Sequence, residues 1–178
     1  MKNLELKVKI SAEHIQKILK RYEPAKILEQ TDTYYKISDG RLKIREQDSK
    51  ETKRVYAIKY NRPDTLNSKM SNYYTFDIGD LKSFKKVFGD VLIEEFKVKK
   101  KRTLILIKNA RIHLDSVCDL GTFLEIEIVI NTEEELENSK KFMETLIRDL
   151  ELGKCEKIKF GYREMMILEK SATKATIL

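Results

Sequence analysis

The chain has 178 residues, a formal net charge of +7 and a pI near 9.2. That length suits one domain with a real core, and the basic balance favours an anionic partner such as phosphate, nucleic acid or an acidic surface. No apolar run is long enough to span a bilayer and no apolar signal stretch opens the chain, so a cytoplasmic protein is expected; Cys118 and Cys155 lack zinc-ligand spacing and read as structural or free thiols.

Asn3 to Ile10 alternates as a strand. Ser11 can cap a helix reaching about Tyr22, with Ile15, Ile18 and Leu19 on one face. Gln30 to Ile37 reads as a strand rich in Thr and Tyr, and Asp39-Gly40 as a hairpin turn into Arg41 to Gln47. Arg54 to Asn61 is a strand stopped near Pro63, and a loop around Asn67 to Ser71 leads to the strand Tyr73 to Asp77. Leu81 to Phe88 is a short helix ended by Gly89. Glu94 to Ile107 reads as two strands whose joining turn has no clear signal. Asn109-Ala110 is a turn before Arg111 to Val117, and Leu120-Gly121 precedes the strand Phe123 to Ile130. Thr132 with Glu135 forms a capping box for a long helix carrying Leu136, Met143, Leu146, Ile147 and Leu150 on one face. After Gly153 come Phe160-Gly161-Tyr162 and a short helical stretch, and residues 171–178 read as a flexible tail behind one domain over 1–170.

Alternate side chains of a strand point to opposite faces. Glu5-Leu6-Lys7-Val8-Lys9, Arg41-Leu42-Lys43-Ile44-Arg45, Arg111-Ile112-His113-Leu114-Asp115 and Glu125-Ile126-Glu127 each have one apolar and one charged face. Taken singly, such a face is more often just solvated. Here the segments are many and the charges are sorted, with cations on some strands and carboxylates on others. The amphipathic helices need an apolar surface to cover, and the apolar strand faces supply it. The expected fold is α+β: an eight-stranded antiparallel β-barrel, closed as a tunnel with a charged interior and helices packed outside.

Six segments in order, Asn3 to Lys7, Gln30 to Tyr35, Gly40 to Glu46, Tyr60 to Asp64, Arg111 to Asp115 and Leu120 to Glu127, resemble the CYTH superfamily of triphosphate tunnel metalloenzymes, most of all its class IV adenylyl cyclase-like branch. The family's opening pattern is two glutamates and a lysine at alternate positions; here Asn3 replaces the first, while Glu5 and Lys7 match the rest. The resemblance implies a triphosphate bound inside the tunnel with Mg²⁺ or Mn²⁺.

It also implies roles. Lys7, Lys9, Arg41, Lys43, Arg45, Lys59, Arg62, Arg111 and His113 would hold the triphosphate, with Lys100 and Arg102 matching the family's Lys-x-Arg. Arginine grips phosphate bidentately and lysine acts as a point charge. Glu5, Asp115, Glu125 and Glu127 would hold the metal, which prefers hard oxygen ligands, and Glu5, Lys7, Glu125 and Glu127 would serve catalysis. The leading activity is conversion of ATP to cyclic AMP and pyrophosphate. The alternatives are a triphosphatase acting on inorganic, thiamine or nucleoside triphosphate, and a non-catalytic binder of polyphosphate or RNA 5′ ends. A general nucleic-acid or membrane partner is not expected; a homodimer is suggested by the resemblance alone.

Overall fold

Period-two alternation is the strongest structural signal in this chain, and it sets the architecture of the computed structural model. The structure describes the backbone of residues 2–176 and the side chains of residues 2–171. Eight strands are joined with four helices: β1 (Lys2–Lys9), α1 (Ala12–Arg21), β2 (Lys26–Tyr35), β3 (Arg41–Asp48), β4 (Lys53–Asn61), β5 (Lys69–Asp77), α2 (Leu81–Phe88), β6 (Glu94–Ile107), β7 (Ala110–Val117), β8 (Gly121–Ile130), α3 (Leu136–Asp149) and α4 (Tyr162–Thr176). The strands close into an antiparallel barrel in the order β1-β5-β4-β3-β2-β6-β7-β8. Closure removes every sheet edge.

The barrel is turned inside out. Leu4, Leu6 and Val8 of β1, Ile112 and Leu114 of β7, and Leu124, Ile126 and Ile128 of β8 point outward and are buried beneath helices. Ile18 of α1 and Met143 and Leu146 of α3 complete this cluster. Ile112, Ile126 and Ile128 are fully buried, and each such side chain contributes about 1.5–3 kcal/mol relative to exposure. Ser11 caps α1 by accepting from the His14 N–H at 3.1 Å, and His14 Nε2 lies 2.8 Å from the Leu150 carbonyl, tying α1 to the end of α3. A second outer cluster packs Leu81 and Phe84 of α2 on Ile44 and Tyr35. Asp80 caps α2, accepting from the Lys82 N–H at 2.9 Å.

Four local expectations change. The loop expected around Asn67 to Ser71 gives way at Lys69 to β5, which pairs with β1 there. Glu94 to Ile107 is one strand of 14 residues, its first part paired with β2 and its last with β7; a segment without Gly or Pro has no reason to turn. The capping box forms differently: Glu135 accepts from the Asn131 N–H at 3.0 Å, while Thr132 makes no side-chain cap bond. The helix after Gly161 is long, running to Thr176 through most of the expected tail; residues 177 and 178, and side chains from 172 onward, lie outside the described residues.

At Gly40 the backbone takes φ +77°, and a Cβ there would fall 1.8 Å from Asn61 Oδ1. This turn sets the register in which Arg41, Lys43 and Arg45 share the inward face.

Candidate active site

The lumen is a cavity of about 380 Å³. Eight of its lining residues are lysine or arginine and three are glutamate. One end is covered by Gly161 and Tyr162 at the start of α4, where Tyr34, Val98, Phe123 and Tyr162 form a small apolar cluster. The other end opens past the exposed Lys26 and Thr75.

Two aspartates stand behind the cations. Asp32, with no exposure, accepts from Arg45 Nε at 2.6 Å and Nη2 at 2.7 Å, from Lys43 Nζ at 2.9 Å and from Lys100 Nζ at 2.9 Å. Burial opposes its charge, yet Arg45, Lys100 and Lys43 hold its carboxyl well below the usual range. Asp115 takes both guanidinium contacts of Arg102, at 2.7 and 2.6 Å, and the Tyr162 hydroxyl at 2.8 Å. Against the pull of burial, Arg102 brings Asp115 down to about 2.

Glu125 is the hub of the opposite wall. It lies 3.3 Å from Lys7 Nζ, 3.3 Å from Arg102 and 3.8 Å from Arg62. Lys7 Nζ sits 3.9 Å from the Tyr162 ring centroid, so the closed end is partly built of a cation–π contact. Glu5 pairs with Arg62 at 3.1 Å. Burial, then the charges of Glu127 and Glu125, raise Glu5 to about 7. Burial and neighbouring cations lower Lys100 to about 7 and Lys43 to about 8. The lumen therefore holds groups that titrate near neutrality.

His113, Glu125 and Glu127 bring one ligand atom each to within 4.8 Å of one another. His113 is 5 % exposed, and its buried Nδ1 makes no hydrogen bond; it lies 3.5 Å from Glu127 and 3.9 Å from Glu125. An unpartnered imidazole nitrogen facing two carboxylates is a donor set that fits a divalent cation.

The structure gathers Glu5, Lys7, Lys43, Arg45, Arg62, Lys100, Arg102, Arg111, His113, Glu125 and Glu127 around one cavity. It does not bring every expected residue there. Lys9 is exposed at the end of β1, its N–H bonded to the Glu156 carbonyl. Lys59 is exposed on the outer face of β4 beside Leu42 and Tyr74. Arg41 is held instead by Asp64 at 2.8 Å and Glu164 at 2.8 Å, a clasp between β3 and α4. Asp115 stands apart from the metal-ready cluster because Arg102 and Tyr162 occupy both its oxygens. His113, expected against phosphate, joins the carboxylates. Sequence reasoning passed over Asp32, Tyr162 and the buried Lys69, whose Nζ donates to the Lys159 carbonyl at 2.7 Å. The parity of Asp32 with Tyr34 and its place opposite Arg45 were the available signals.

The CYTH domain family profile matches residues 1–162. The chain belongs to the CYTH domain family. Among solved structures it is similar to PH1819 from Pyrococcus horikoshii OT3, at 22 % identity over 94 % of this chain and 99 % of that one, with a TM-score of 0.81. A candidate adenylate cyclase from Vibrio parahaemolyticus follows at 15 % identity, 92 % and 97 % coverage and TM-score 0.70. HpAC1 from Hippeastrum, whose dominant activity is that of a triphosphatase, matches at 11 % identity, 96 % and 95 % coverage and TM-score 0.57. At these identities the likeness is one of fold. No curated protein matches the chain. CYTH proteins are triphosphate-acting, divalent-metal-dependent enzymes, and no helix among the described residues is long and apolar enough to cross a membrane.

Proposed function

We propose that this CYTH protein binds a triphosphate in the lumen with Mg²⁺ or Mn²⁺ and cleaves it, in the lead reading by closing ATP to cyclic AMP with release of pyrophosphate. The observation that carries the proposal is the layering of charge. Cations face the cavity while Asp32 and Asp115 sit behind them with no exposure. Such a wall is fixed in place yet left short of negative charge, as a polyanion host requires.

The closed end, with Lys7, Lys43, Lys100 and Tyr162, suits the terminal phosphates. His113 and Arg111 lie two and four residues from Asp115 along β7, away from Tyr162. Glu5 stands opposite Glu127 in register, in that same outer layer. Glu5 would then stand beside the phosphate that carries the organic group, where its carboxylate can accept a proton from an attacking hydroxyl. Arg45, Arg62 and Arg102 orient the chain and meet charge developing on its oxygens. His113, Glu125 and Glu127 would hold the divalent ion, which when bound neutralises phosphate charge and acidifies the attacking oxygen.

Hydrolysis is the second reading, because the same Glu5 could activate water instead of a ribose hydroxyl. Product analysis decides. The protein is incubated with ATP and with tripolyphosphate, each with Mg²⁺ or Mn²⁺. Cyclic AMP plus pyrophosphate supports the cyclase, and orthophosphate from either substrate supports the triphosphatase. Binding without turnover under every condition would overturn catalysis and leave a polyphosphate binder. A cytoplasmic location and a homodimer remain proposals of the same kind, tested by fractionation and by light scattering.

A further inference from the structure

The lumen is divided along its length, and inside the exposed Lys26 at its mouth the open half is lined on one side by neutral groups. From β6 through β2, β3 and β4 to β5 run Leu104, Leu28 and Gln30, Gln47, Tyr56 and Thr75. The facing wall on β7, β8 and β1 carries the charges: Arg111, His113, Glu125, Glu127 and Glu5. Gln30 and Gln47 lie two residues outward of Asp32 and Arg45, about 7 Å along their strands. An inorganic triphosphate has no use for such a wall.

The amides there are arranged with an opening for a partner. Gln30 Nε2 donates to Gln47 Oε1 at 2.6 Å, and the Tyr56 hydroxyl donates to the same oxygen at 3.2 Å. Gln30 Oε1 is buried without any hydrogen-bond partner, on a residue only 4 % exposed. A buried acceptor left alone is unfavourable unless something supplies a donor. Gln47, with its oxygen engaged, keeps its amide N–H groups as donors. An acceptor and a donor side by side, flanked by Leu28, Leu104 and the Tyr56 ring, match the hydrogen-bonding edge and flat apolar faces of a nucleobase.

We propose that the Gln30–Gln47 wall is a nucleobase subsite, which makes the substrate class a nucleoside triphosphate instead of inorganic tripolyphosphate. The inference rests on the triphosphate reading given above. The base lies against Leu28, Leu104 and the Tyr56 ring, with Gln30 Oε1 accepting from an exocyclic amine or ring N–H and Gln47 Nε2 donating to a ring nitrogen or carbonyl. Its triphosphate extends inward to the Asp32-backed cations.

The test is equilibrium binding of ATP and of tripolyphosphate by calorimetry, with Ca²⁺ in place of the catalytic metal. In the Gln30→Ala/Gln47→Ala double variant the ratio of ATP affinity to tripolyphosphate affinity falls roughly tenfold, the equivalent of one or two lost hydrogen bonds. A second variant, Gln47→Lys, adds a cation to the neutral wall itself and separates the ligands by direction: ATP binding weakens while tripolyphosphate binding tightens. A ratio unchanged in both variants, with tripolyphosphate still bound, overturns the subsite and leaves the triphosphate reading standing. Wild-type protein that binds neither ligand overturns both.

Discussion

Asp32→Asn is the sharpest perturbation the lumen offers. The substitution keeps shape and removes one charge from a site with no exposure, where Lys43, Arg45 and Lys100 all converge within 2.9 Å. Removing one partner of a buried ionic cluster costs about 3–5 kcal/mol, because the remaining charges stay buried and uncompensated. For a chain of 178 residues each kcal/mol moves Tm by about 2–4 °C, so the expected fall is roughly 6–20 °C. The same reasoning fixes the response to ligand. Tripolyphosphate brings negative charge to the cations that Asp32 normally holds, so saturating ligand raises the Tm of Asp32→Asn by more than that of wild type. Thermal unfolding by circular dichroism, with and without tripolyphosphate, gives all four values. A variant that melts with wild type, or gains no more from the ligand, would show that Asp32 does not organise the cations.

Other outcomes follow from the same geometry. Tripolyphosphate affinity, measured by calorimetry, falls between pH 6 and pH 9, because Lys100 at about 7 and Lys43 at about 8 lose protons over that window. Their pKa values are depressed in the free protein and rise when the anion arrives, so binding takes up protons and weakens as pH climbs; an affinity flat after subtraction of the anion's own titration contradicts this. Glu125→Gln reduces turnover at least about a hundredfold while circular dichroism shows the fold intact, and wild-type rates at limiting metal would remove Glu125 from the site. Arg45→Ala raises the apparent KM for the triphosphate through loss of a charge-assisted hydrogen bond, and an unchanged KM would place that guanidinium outside the binding path. Leu146→Ala lowers stability by about 2–5 kcal/mol, since Leu146 is 2 % exposed in the outer core; the rate per folded molecule stays at the wild-type value.

Much of this was legible because a strand's side chains alternate strictly. Lys7, Lys43, Arg45 and Glu125 follow from parity alone once the sheet is taken to close with its charge inward, and each is nearly buried in the lumen. Parity says nothing about where a strand leaves the barrel. Lys9 has the right parity but stands at the end of β1, beyond the cavity. β4 failed differently: in Val55-Tyr56-Ala57-Ile58-Lys59-Tyr60 the one charge, Lys59, stands on the outward parity, so it points away from the true inward set, Tyr56, Ile58 and Tyr60. Asp32 was hidden as one carboxylate among threonines and tyrosines, and only the β2–β3 register discloses Arg45 beside it. Tyr162 closes the lumen from a helix that follows the last strand, a tertiary placement no local pattern encodes.

The distribution of energy in this barrel separates stability from function. The outer faces of β1, β7 and β8 with α1 and α3 form a large apolar core, and that burial is where the fold gains its free energy. The lumen works the other way. Lys7, Lys43, Lys100 and Arg102 are each under a tenth exposed, and desolvating them is unfavourable even with Asp32, Asp115 and Glu125 alongside. A barrel of this size could fill its interior with aliphatic side chains and be more stable. The interior instead keeps lysines close to deprotonation, a glutamate close to protonation, and a histidine nitrogen and a glutamine oxygen that make no hydrogen bond. Each of these is relieved by something the chain does not contain: an anion for the lysines, a cation for the carboxylates and His113, a hydrogen-bond donor for Gln30. One molecule with a metal-bound triphosphate at one end and a hydrogen-bonding heterocycle at the other supplies all three.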